Sequence, residues 1–145
     1  MKYLFLDTNI FLHFRSFEQI DWSKLIEVDD EYCIVIPEIV IKEIDKIKDT
    51  GRGKVQKRAK NISSKFGEIL LENNSPAIKV YLCNNPPDKQ FDGISLSKEV
   101  SDDWFILSVL NYKFAQNDKI IVAADNILLI KAKSNGLNYI KLVDE

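Results

Sequence analysis

The feature that most constrains this chain is a set of short apolar runs that do not alternate with polar residues. YLFL at 3–6, YCIVI at 32–36 and KIIVAAD at 119–125 are the clearest, with IKVYL at 78–82 and NYIKLV at 138–143 completing the set. A strand apolar on both faces belongs in a parallel sheet covered by helices on each side. The stretches between these runs read as helices. Ile39, Val40, Ile44 and Ile47 form a buried stripe over 38–48, and Asp49-Thr50-Gly51-Arg52-Gly53 breaks it. A longer helix is expected over about 54–73, stopped by Asn73-Asn74-Ser75-Pro76. Further helices are expected from a Ser101 cap to about Tyr112 and from Ile127 to Ser134. Residues 16–28 read as one or two short helices with Ser16 or Asp21 as caps, and 84–97 as the one long irregular loop. Pro37 is expected to end the second strand and enter the first turn of the helix that follows. Strands alternating with helices predict right-handed crossovers and a three-layer α/β/α sandwich. Its central sheet is mainly parallel and five-stranded, within a single domain spanning 1–145.

Composition narrows the class. With 46% hydrophobic and 29% charged residues, the chain matches a folded soluble domain and not a disordered one. No uncharged apolar run approaches the ~18 residues of a membrane helix, and the N-terminus lacks the pattern of a signal peptide. Cys33 and Cys83 sit inside strand-like runs and read as reduced core thiols of a cytoplasmic protein. A single histidine and no CxxC pair exclude a zinc site of the usual kind.

Several acids do not suit their surroundings. Asp7 and Asp125 each stand at the carboxyl end of an apolar strand, the edge where open parallel sheets bind ligands. Each alone could be a cap of the helix or turn that follows. Glu43 lies on or beside a stripe of isoleucine and valine, where an unpaired carboxylate is costly unless it snorkels to water. Asp102 and Asp103 open a helix, where acids also complement the helix dipole. Four such acids converging on one crevice repel one another unless a divalent cation lies between them. All-oxygen ligation points to Mg²⁺ or Mn²⁺.

The charge is uneven as well. The net −2 divides into +6 over residues 42–65, with nine basic against three acidic side chains, and −8 over the rest. A basic surface on an acidic protein can meet phosphates, or it can be a solvated helix face.

With these acids lined up, the chain resembles a PIN domain over essentially all its length. FLDTNIFLH resembles the opening strand and its Asp-Thr-Asn turn, and IPEIVIKEIDKIK the second motif. SDDWFILSV resembles the third motif and IIVAADNILLIKAKSNG the fourth, the second and fourth being closest to PIN modules of PhoH-type ATPases and their stand-alone relatives. The resemblance assigns the acidic positions to Asp7, Glu43, Asp103 and Asp125, with Asp102 the alternative to Asp103, and gives Thr8 and Asn9 a supporting role. One departure is Ala123, where the family usually carries Thr or Ser. No GxxxxGK[ST] pattern occurs, so no ATPase half accompanies the domain in this sequence.

What the resemblance implies is a Mg²⁺- or Mn²⁺-dependent endoribonuclease, either the toxin of a toxin–antitoxin pair or an RNA-processing enzyme. Its implied partners are RNA, an antitoxin or attached ATPase, and a second copy in a homodimer. A structure-specific DNA nuclease and a catalytically weak RNA-binding or scaffold module are the alternatives. Arg52, Lys54, Lys57, Arg58 and Lys60 are the expected backbone contacts, salt-sensitive and sequence-independent. His13 is expected at the core or rim. Tyr3, Trp22 and Trp104 are aromatics whose commoner role is packing.

Overall fold

The computed structural model describes residues 1–26, 31–72 and 78–143. Strand β1 (Lys2–Leu6) leads into a short helix α1 (Thr8–His13), and α2 (Trp22–Ile26) precedes β2 (Tyr32–Pro37). Two helices follow, α3 (Glu38–Thr50) and α4 (Gly53–Leu70). Then come β3 (Val80–Cys83), α5 (Ser101–Asn111), β4 (Lys119–Ala123), α6 (Asn126–Ser134) and β5 (Asn138–Lys141). All five strands are parallel, in the order β3-β2-β1-β4-β5. The α/β sandwich expected from the strand–helix alternation is what forms.

The strand order explains the unbroken apolar runs. β1, β2 and β4 are interior strands, and Leu4, Phe5, Leu6, Ile34, Val35, Ile36, Ile121, Val122 and Ala123 are all fully buried. Each large side chain among them contributes about 1.5–3 kcal/mol by leaving water. The edge strands β3 and β5 are more exposed, as the polar residues in their sequences require. Among the described residues, no helix is long and apolar enough to cross a membrane.

Local details depart from the sequence expectations in instructive ways. Residues 8–13 are helical, directly after Asp7, so the apolar IFL segment packs inward from a helix. Pro37 pairs with Cys83 as the last residue of β2 and serves as the N-cap of α3, just outside its first turn. Ser101 is the first helical residue of α5, with Val100 at the cap position. The expected break at 49–53 is present. Gly51 has no room for a Cβ, which would lie 2.5 Å from the Ile47 carbonyl oxygen, and Gly53 has φ +64°. The expected stop at 73–76 lies outside the described residues. The long loop carries one 3-10 turn, Asp88–Phe91.

Both cysteines are buried and free, and burial pushes each thiol up to about 11, so neither is a reactive nucleophile. Trp22 is fully buried and donates its indole N–H to the Phe17 carbonyl. Tyr3 stacks on Phe114 at 4.1 Å, near the start of β1 and away from the strand ends that carry the acids.

The least expected core member is Lys119, only 1% exposed at the start of β4. Its Nζ donates to the Val109 and Leu110 carbonyls and to Gln116 Oε1. It thus caps the carboxyl end of α5, where a cation also complements the helix dipole. Lys119→Met keeps the side-chain length but leaves these acceptors without their donor. We expect it to cost about 2–3 kcal/mol, read as a fall in thermal midpoint of roughly 6–10 °C.

Candidate active site

The sheet order reverses between β1 and β4, the point at which a crevice opens beyond the strand ends. Leu6 pairs with Val122, and the Asp7 amide donates to the Val122 carbonyl at 3.0 Å, so Asp7 is carried one residue past the ladder. Asp125 follows two residues after β4. Each aspartate precedes a helix, but only Asp125 caps one, its Oδ1 accepting from the Ile127 amide at 3.0 Å. Asp7 is buried and makes no such cap, so its carboxyl is available to the crevice.

Glu43 enters from α3 on the adjacent strand's crossover. Thr8 Oγ1 donates to Glu43 Oε1 at 3.2 Å, fixing one carboxylate oxygen beside Asp7. Asn9 is exposed on the first turn of α1. Ala123 is fully buried, with its carbonyl taken by the Leu142 amide.

The two acids at the start of α5 divide between different tasks. Asp103 is 5% exposed; its Oδ1 receives Lys131 Nζ at 2.6 Å and its Oδ2 the Ser97 amide at 2.9 Å. Both of its oxygens are therefore engaged, tying α5 to α6 and to the long loop. Trp104 extends this strap by donating to the Lys98 carbonyl and packing edge-on against Phe91. Asp102 lies about 100° around the helix and interacts electrostatically with Asp7, Glu43 and Asp125. The sequence had favoured Asp103 for the acidic set; the arrangement in space gathers Asp102 with Asp7, Glu43 and Asp125. Lys131 carried one sequence hint, falling three residues after Leu128 on the inward side of α6.

Electrostatics reports the crowding. Burial first, and then the charges of Glu43, Asp102 and Asp125, push the Asp7 carboxyl up to about 7, against the Thr8 amide that favours its ionised form. Glu43 is raised by burial and by Asp102, opposed by its Thr8 bond and by Lys46. Asp102 is raised by burial and by Asp125, with Lys131 opposing. Among the described residues, no three His, Cys, Asp or Glu side chains form a ready-made metal cage.

The basic segment is only partly surface. Arg52 is exposed at the cap position just before α4, and Lys54, Lys57 and Lys60 are exposed on its first turns. Arg58 instead turns inward, its Nε donating to the Phe11 carbonyl at 3.0 Å and its Nη2 to the Phe14 carbonyl at 2.6 Å. It clasps the end of α1 onto α4. Gln56 likewise donates to the Lys48 carbonyl at the end of α3.

Because the folded Asp7 carboxyl holds its proton to higher pH than the unfolded one, the metal-free protein loses stability as pH rises from about 4 through about 7. Thermal melts in EDTA should show that decline, and Asp7→Asn should flatten it. Asp102→Asn should leave the metal-free protein as stable as before or more so. Asp103→Asn should instead lower its midpoint by several degrees, because the buried Lys131 bond loses its charged partner.

Comparison with known proteins agrees with this architecture. No curated protein matches the chain in sequence. Among solved structures, a domain of a functionally unknown protein from Methanocaldococcus jannaschii DSM 2661 is similar, with TM-score 0.65 and 23% identity. That similarity covers 99% of this chain and 92% of the other. The PIN domain endonuclease Utp24 is similar at TM-score 0.55 and 14% identity, over 97% of this chain and 85% of the other. These likenesses show the fold. The family model of the PIN domain matches residues 4–142. The chain belongs to the PIN domain family, whose members are generally nucleases.

Proposed function

We propose that this nuclease-type domain is a divalent-metal-dependent endoribonuclease whose acidic set is Asp7, Glu43, Asp102 and Asp125. The observation that carries the reading is the gathering of these four carboxylates, from four different elements, at the switch point of the sheet. Burial, and after it the charges of Glu43, Asp102 and Asp125, holds Asp7 near a pKa of about 7, a cost that a bound cation would relieve. A divalent cation held there supplies charge stabilisation to the phosphate being cut and acidifies a water. Mg²⁺ and Mn²⁺ both suit the all-oxygen donor set.

The remaining work falls to the chain's own side chains. Thr8 orients Glu43, and the α6 cap holds one oxygen of Asp125 in place. The Asp103–Lys131 pair fixes the first turn of α5, and with it Asp102, relative to α6. Arg52, Lys54, Lys57 and Lys60 present positive charge on α4, which Arg58 secures to the helix that starts at Asp7. They would draw a polyanionic strand towards an edge that otherwise repels it. Family resemblance favours RNA over DNA as that strand. The domain works in this reading as a cytoplasmic protein with RNA as its partner.

The test is cleavage of matched single-stranded RNA and DNA with Mg²⁺, Mn²⁺ or EDTA. Metal-dependent cutting of RNA is expected, falling by roughly 10²-fold or more in Asp7→Asn and Asp102→Asn, the scale of losing one charge-stabilising group. Cutting by Asp102→Asn at the native rate would remove Asp102 from the set. Preferential DNA cutting would establish the DNA nuclease in place of the ribonuclease.

A further inference from the structure

We infer that a small pocket beside the acidic edge binds a single nucleobase of the strand being cut; this rests on the nuclease reading above. His13, Phe14 and Arg15 at and just past the end of α1, Leu25 of α2, and Leu142 and Val143 past β5 line a cavity of about 190 Å³. A buried apolar cavity of ~150 Å³ is enough to take up benzene, so this one has room for one heteroaromatic base and little more.

Its place in the fold ties it to the acids twice. The helix that begins immediately after Asp7 ends at His13, six residues and roughly 9 Å further on. On the other side, the Leu142 amide donates to the Ala123 carbonyl, two residues before Asp125. A strand with its phosphate at the acids therefore has this pocket within reach of a neighbouring nucleotide.

The lining chemistry fits a base. Phe14 offers an aromatic surface and Leu25, Leu142 and Val143 an apolar wall, while His13 brings a hydrogen-bonding ring suited to a base edge. Leu25 and Val143 are partly exposed apolar side chains at an otherwise polar surface, 37% and 64% accessible. No carboxylate is among the described residues lining it, although the chain carries 22 acids. Apolar walls with a few donors among the described lining residues suit a flat ring with polar edges.

His13 is the only histidine, so its ring resonances in proton NMR report this pocket alone. The full chain in EDTA is titrated with each of the four nucleoside monophosphates and with ribose 5-phosphate, and the same preparation is assayed for RNA cleavage with Mn²⁺. We expect a saturable His13 shift with at least one nucleotide, no shift with ribose 5-phosphate, retention of the shift in Asp7→Asn, and its loss in Val143→Asp. Equal shifts with ribose 5-phosphate would overturn the base assignment in favour of a phosphate site. Cleavage without any nucleotide-induced shift would overturn the pocket and leave the ribonuclease standing. A shift without cleavage would support the pocket and overturn the ribonuclease, and the absence of both would overturn the two together.

Discussion

The acidic edge depends on the register of β1 against β4. Pairing Leu6 with Val122, and closing the Asp7 amide onto the Val122 carbonyl, brings two strand-end aspartates to the same rim. A slip of one residue would turn Asp7 to the opposite face, since side chains alternate along a strand. Both strands are buried on both faces, and the ladder that pairs Tyr3 with Lys119 through Leu6 with Val122 sets which residues reach the rim. Core packing and site geometry are in this sense one constraint.

That constraint concentrates charge where the fold would otherwise avoid it. The buried Asp7 carboxyl, raised to about 7 by burial first and then by its acidic neighbours, marks a site that resists ionisation. Stability elsewhere offsets this, in the interior strands and in devices such as Lys119 on the end of α5. Three contacts keep the acids in place despite their repulsion: Thr8 on Glu43, the Asp125 cap on α6, and Lys131 on Asp103. Each takes up one face or one neighbour of the acidic group and leaves the gathered carboxyls turned to the crevice.

Charged residues in this chain therefore sort by where they are held more than by what they are. Asp103 and Arg58 carry the same formal charges as Asp102 and Lys57, yet each has its polar atoms occupied by the protein itself. Their work is to fix helices to one another. Glu43 and Asp125, by contrast, each give up only one oxygen, to Thr8 and to the Ile127 amide.

The sequence by itself determined the class of fold, the order of strands and helices, and the strand-end placement of Asp7 and Asp125. Unbroken apolar runs can be buried only in a covered parallel sheet, and parallel strands deliver their carboxyl ends to one rim. It also fixed the break between α3 and α4, through a Gly51 that must lie against the Ile47 carbonyl. Only the tertiary structure showed both oxygens of Asp103 held by Lys131 and the Ser97 amide, because α5 is buried on nearly every side and its periodicity carries no phase. Lys119 in the core and Arg58 on the end of α1 were silent in sequence, and Lys131 on Asp103 nearly so. A long basic side chain finds its acceptor through space, and adjacency along the chain holds no record of which carbonyl or carboxylate will be within its reach.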